Sequence, residues 1–76
     1  MNKKRRGNLK QALDLINAAG DIIQNALYEE QDCLDNLPEN LMESDMYSKM
    51  ESTVDELEQA IDYIENIKNS VEEALL

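Results

Sequence analysis

A row of carboxylates recurs at alternating intervals of four and three residues in the second half of the chain. This spacing places side chains on one face of an α-helix, where like charges repel by a few tenths of a kcal/mol per pair. A partner with a basic surface would relieve that repulsion, so the row can be a binding face. The alternative is that the acidic face has no partner and only keeps its helix solvated. The row consists of Glu51, Asp55, Glu58, Asp62, Glu65 and Glu72, with Asn69 at its one neutral position.

A second acidic group lies in the middle of the chain, where residues 29–45 contain seven acids and no base. Such a cluster attracts hard cations, but no D-x-[DN]-x-[DN]-G calcium loop is present. We therefore predict no metal site and no cofactor here, and a secondary acidic patch for a protein partner instead. Its main members are Glu29, Glu30, Asp32, Asp35 and Glu39.

Histidine is absent and Cys33 is the only cysteine of the chain. These counts exclude an intrachain disulfide, the usual zinc ligand sets and histidine-based catalytic triads. Cys33 continues a heptad column of small residues, so we expect it to be a buried, small apolar residue. It is not expected to be a nucleophile, because no histidine can activate it. The sequence predicts no catalytic residue and no small-molecule substrate, so we do not expect an enzyme.

The first half of the chain carries apolar residues at helical intervals of three and four, which predicts a helix over residues 8–36. Glu30 interrupts a heptad column of large residues that includes Leu9, Ile16 and Ile23. The neighbouring column is small throughout, which favours close approach of another helix. This small column is Ala12, Ala19, Ala26 and Cys33.

The second half repeats the helical period from Met46 onward and predicts a helix over residues 45–75. Pro38 disfavours helix in the residue before it and removes a backbone donor, so the chain should break there. Ser44 is a suitable N-cap for the second helix, and residues 39–41 can form a single extra turn. The sequence therefore predicts two helices joined by a turn over residues 37–44.

The two predicted helices are roughly 43 and 46 Å long at 1.5 Å per residue, and their connection is short enough to fold them antiparallel. We predict an all-α, antiparallel two-helix hairpin as one domain over residues 1–76. Residues 1–7 should form a basic tail beside the acidic end of the second helix. We also expect the surface ion pairs Lys68–Asp14 and Lys49–Asp32.

A chain of 76 residues rarely builds a secure core alone, and metals and disulfides cannot help here. One neighbouring helix also covers only about half of each apolar stripe, so we predict a homodimeric four-helix bundle or coiled coil. Parallel and antiparallel arrangements of the hairpins are both compatible with the pattern. The residues expected to mediate self-association are Ala12, Ile16, Ala19, Ile23, Ala26, Leu57, Ile61 and Ile64.

Residues 11–76 contain 17 acids and two lysines, a net charge of −15. Two hairpins side by side over roughly 45 Å would carry about one negative charge per 1.5 Å, comparable with about 1.7 Å for duplex DNA. Such a surface could occupy a basic nucleic-acid groove on another protein. The acidic row would supply the charge and Tyr63 an aromatic anchor.

The segment Glu29–Leu41 reads E-E-Q-x-x-x-D-N-L-P-E-N-L and is followed by Ser44 and the periodic Val54, Leu57 and Ile61. Residues 29–67 resemble small acidic two-helix proteins of bacterial phages and prophages. The resemblance implies a phage-encoded accessory protein inside a bacterial host cell. It assigns no catalytic or binding residue to this chain.

These observations together predict a non-enzymatic acidic protein-binding module, a phage-type inhibitor or nucleic-acid (DNA) mimic that blocks a host defence or nucleic-acid-binding protein. The alternative is an assembly accessory that joins a larger complex through its apolar stripe. The basic start is not followed by an apolar run and no stretch is long enough to span a bilayer, so we expect a cytoplasmic location. We expect a partner with a basic surface, and neither direct nucleic-acid binding nor membrane binding.

Overall fold

The computed structural model describes residues 1–76 and contains two long helices, α1 (Lys3–Asp35) and α2 (Asp45–Leu75). They pack antiparallel as a hairpin that measures 60 × 15 × 14 Å. Its radius of gyration is 17.4 Å, whereas a compact domain of this length would have about 11 Å. The all-helical hairpin predicted from the sequence is confirmed, and its elongated shape leaves most side chains near solvent.

Helix α1 begins at Lys3 and not at residue 8, so the predicted basic tail is wrong for most of its length. The Asn2 side chain caps the helix by accepting a hydrogen bond from the Arg5 amide at 2.9 Å. The Arg6 guanidinium donates to the Leu75 carbonyl at the end of α2. Because this carbonyl belongs to the negative end of the α2 dipole, the contact compensates for placing basic residues at a helix N-terminus.

The connection between the helices is ordered by its own hydrogen bonds. The Asn36 side chain and amide both donate to the Asp32 carbonyl, which ends α1. Pro38 precedes a 3₁₀ turn over Glu39–Leu41. Ser44 then caps α2, because its hydroxyl accepts from the Tyr47 amide at 3.2 Å and donates to the Leu41 carbonyl at 2.6 Å.

The seam between α1 and α2 is built from two heptad columns on each helix. Only Leu34 and Val54 are buried in it, with 9% and 4% of their surfaces exposed, and no side chain is fully buried. The other apolar side chains of the seam are half-buried. Those of α1 are Leu9, Leu13, Ile16, Ile23 and Leu27, and those of α2 are Met50, Leu57, Ile61, Ile64, Val71 and Leu75.

Three of the four residues of the small column are exposed and lie outside this seam, whereas Ala12 is half-buried. Cys33 is exposed, so the prediction that it is buried is wrong, and Ala19 and Ala26 are exposed as well. The close approach occurs one position later, at Gly20, where an added Cβ would lie 3.4 Å from Ile64 Cγ2. Helix α1 is rotated this way because its neighbouring column contains leucines, which bury more apolar area than alanines.

The predicted surface pairs of Lys49 and Lys68 contribute no hydrogen bond. None of the side-chain hydrogen bonds of the structure is donated by a lysine. Exposed pairs of this kind gain little in water because screening and side-chain entropy offset their attraction. Helix orientation is instead fixed by the seam and by the contact of Arg6 with the end of α2.

Candidate functional site

The acidic row of α2 forms a continuous exposed surface, which we call the acidic face. Its carboxylates accept none of the hydrogen bonds that side chains make within the chain. Their charges are therefore compensated by solvent and by nearby bases, of which Lys68 lies three residues after Glu65 and four before Glu72. The members of the acidic face are Glu51, Asp55, Glu58, Asp62, Glu65 and Glu72, all of them exposed.

A shallow groove connects the acidic face with the polar edge of α1. Asn17 and Gln24 of α1 line it on one side and Glu65 of α2 on the other. Gly20 lies between them and contributes no side chain. Lys68 also lines the groove and is half-buried in the seam, so one positive charge stands beside Glu65. The groove shows that the acidic face and the polar edge of α1 share one side of the hairpin.

The opposite side of the hairpin is apolar. Leu15 and Ile22 of α1 are 65% and 69% exposed, and Ile67 of α2 is 51% exposed. In an antiparallel helix pair, each helix has one edge on either side of the seam. The edges that do not line the groove therefore lie together on this second side. We call it the apolar face. Its apolar members are Ala12, Leu15, Ala19, Ile22, Ala26 and Cys33 on α1 with Met46, Ala60, Ile67 and Ala74 on α2, where Thr53 and Glu56 are polar residues on the same side.

Tyr63, the expected aromatic anchor, is 59% exposed on α2. It precedes Ile67 by four residues and follows Ala60 by three, and residues at these spacings are neighbours on a helix surface. Tyr63 thus lies at the border of the apolar face, about 100° around α2 from Asp62. An aromatic anchor here would serve a partner on the apolar face better than one on the acidic face.

The residues predicted to mediate self-association divide into two groups. Five lie half-buried in the seam of the hairpin itself: Ile16, Ile23, Leu57, Ile61 and Ile64. Of the three alanines, Ala19 and Ala26 are exposed on the apolar face and Ala12 is half-buried at its border with the seam. Sequence reasoning missed Leu15 and Ile22, although their intervals of three and four from these alanines were the signal that could have found them.

The acidic residues near the connection remain dispersed. Glu30 is half-buried in the seam, and the Gln31 amide donates to Asp35 at 2.9 Å. No group of three or more acidic or cysteine side chains is placed to hold a metal ion. The predicted members that are exposed are Glu29, Asp32, Asp35 and Glu39.

No protein-family model, curated protein or solved structure matches the chain. Neither α1 nor α2 has an apolar stretch that would let it cross a bilayer. The hairpin presents two faces to a partner, one acidic and one apolar.

Proposed function

We propose that the protein is a non-enzymatic acidic binding module that associates as a four-helix bundle and binds a basic protein through its acidic face. The partner we propose is a nucleic-acid-binding or defence protein in the cytoplasm of a bacterial host, blocked by a phage-encoded inhibitor. The supporting observation is that all six carboxylates of the acidic face are exposed and accept no hydrogen bond from another side chain.

Exposed carboxylates that accept no side-chain hydrogen bond favour binding of a basic partner for electrostatic reasons. Their mutual repulsion along α2 is relieved when basic side chains come between them. Pairing across an interface also costs little ordering on this side, because the carboxylates project from one continuous helix and not from a loop. Regular repetition of negative charge along a rod is the property that a nucleic-acid groove recognises.

A second candidate function is suggested by the exposure of Leu15 and Ile22, at 65% and 69%. Large exposed apolar groups on a small protein are typical of an interaction surface. In this alternative the apolar face joins a larger phage assembly, and the acidic face only keeps the protein in solution. The two functions use opposite sides of the hairpin, so substitutions can separate them.

The test compares three proteins immobilised on a resin and exposed to a bacterial lysate. They are the wild type, the charge reversal Glu58→Lys with Asp62→Lys, and a control with the same charge change on α1, outside the acidic face, Asp14→Lys with Asp21→Lys. All four positions are exposed, so each variant should keep its helices, which circular dichroism checks. Proteins retained by the wild type are identified by mass spectrometry and purified, and their affinity is measured by fluorescence anisotropy.

The proposal expects wild type and control to bind the same partner, and the acidic-face reversal to lose about tenfold or more in affinity. Binding should also weaken as salt rises from about 0.1 to 1 M, because the screening length falls from about 10 to 3 Å. Labelled duplex DNA should compete for the same partner. A partner that binds the reversal variant as tightly as the wild type contradicts the proposal. If Leu15→Glu also abolishes binding of that partner, the partner binds the apolar face, and the assembly function is supported in place of inhibition through the acidic face.

A further inference from the structure

We propose that the apolar face binds a second copy of this chain, with the two α1 helices antiparallel about a two-fold axis at Ala19. This inference rests on the dimeric part of the proposed function and assigns the surface and register of the dimer. It does not depend on what the acidic face binds.

The pattern of side chains on α1 is nearly symmetric about Ala19. Ala19 is the middle residue of Lys3–Asp35, so an axis there overlaps the two helices over their full length. Ala12 and Ala26 lie seven residues to either side, and Leu15 and Ile22 lie four before and three after. In a two-fold interface, residue i contacts j while j contacts i. Small residues then face small ones, and Leu15 faces the turn that carries Ile22.

The charges of α1 are complementary in the same antiparallel arrangement. Lys3, Lys4 and Arg5 occupy one end of α1, and Glu29 and Asp32 lie near the other. The proposed axis places the basic end of each copy beside the acidic end of its partner. A parallel arrangement would place like charges together at both ends, which is unfavourable.

The hairpin also exposes more surface than a compact monomer of its mass, and the excess is large enough for a dimer interface. The chain exposes 5871 Å², whereas a compact monomer of 8.7 kDa would expose about 4,700 Å². The difference, about 1,100 Å², is more than the roughly 800 Å² that each partner buries in a standard interface. A second copy on the apolar face could remove this excess and leave the acidic faces outward on both sides of the dimer.

Disulfide trapping tests the register directly, in a background where Cys33 is replaced by serine. Ala19→Cys should form a disulfide-linked dimer on mild oxidation, because residue 19 meets its own copy at the axis. Ala12→Cys and Ala26→Cys should cross-link when mixed and not when oxidised separately. Asn17→Cys is the control, since Asn17 is exposed and lies on the groove side of α1.

The outcomes separate this inference from the function of the acidic face. Sedimentation should give a dimer for the wild type and also for Glu58→Lys with Asp62→Lys, even if that variant loses its basic partner. Leu15→Glu with Ile22→Glu should lose the dimer. If this variant unfolds, cross-linking of the cysteine variants still decides the question. A monomer at micromolar concentration, self-linking of Ala12→Cys, or equal cross-linking of Asn17→Cys would overturn the proposal.

Discussion

At the scale of single residues, Gly20 determines how closely the two helices approach. The sequence marks it only as an unfavourable helix residue, about 1 kcal/mol worse than alanine. The structure shows that a Cβ there would lie 3.4 Å from Ile64 Cγ2, an ordinary contact distance. The site therefore has room for one methyl group.

Replacing Gly20 by alanine should stabilise the protein by about 0.5–1 kcal/mol, because the unfolded chain loses freedom and the helix gains propensity. Gly20→Leu should destabilise it by about 1–3 kcal/mol, because the longer side chain forces Ile64 away. Urea denaturation followed by circular dichroism measures both effects. Gly7→Ala is the matched control, since nothing lies within 4 Å of its added Cβ. A loss of stability in Gly20→Ala alone would show that the seam has no room for a methyl.

Residue types alone could predict the acidic face but not the orientation of α1. The carboxylates of α2 were identifiable because charge and period agree there, as in Glu58 and Asp62. For α1, two neighbouring heptad columns are both apolar, and choosing between them requires knowing which one α2 covers. That choice is made by packing between distant residues, so Cys33 was assigned to the wrong side.

At the scale of elements, Ser44 fixes the direction in which α2 leaves the connection. Its hydroxyl bonds both the Tyr47 amide and the Leu41 carbonyl. Ser44→Ala should lower the free energy of unfolding by about 1 kcal/mol, whereas Ser44→Asp should retain most of the cap. The matched control is Ser52→Ala, at an exposed position inside α2. Equal unfolding midpoints in urea for Ser44→Ala and wild type would show that the cap does not hold the connection.

Some helix ends are determined by residues close in sequence, and one is determined by a contact between residues distant in sequence. Pro38 and Ser44 act through their own backbone neighbourhood, so the break and the start of α2 followed from sequence. The start of α1 did not, because four consecutive bases oppose the dipole of their own helix. The end of α2 compensates through Arg6, and that contact spans most of the chain length.

At the scale of the whole molecule, the hairpin has its charge and its exposed apolar area on opposite sides. With only Leu34 and Val54 buried, the seam is a weak core for two helices of 33 and 31 residues. Covering the apolar face would add to that core without touching a carboxylate of the acidic face. Folding and association should therefore be coupled.

The coupling predicts a melting temperature that rises with protein concentration, because dilution favours separate unfolded chains over the dimer. Each tenfold increase in concentration corresponds to about 1.4 kcal/mol, which is about 4 °C for a dimer of this size. Leu15→Glu should lower the melting temperature and remove its concentration dependence. Asn17→Glu is the control: residue 17 faces the groove, so this variant should keep the wild-type melting temperature and its concentration dependence. Thermal melts by circular dichroism over a hundredfold range of concentration, about two such steps, measure the effect. A wild-type melting temperature that stays constant over this range would mean that the seam alone stabilises the fold.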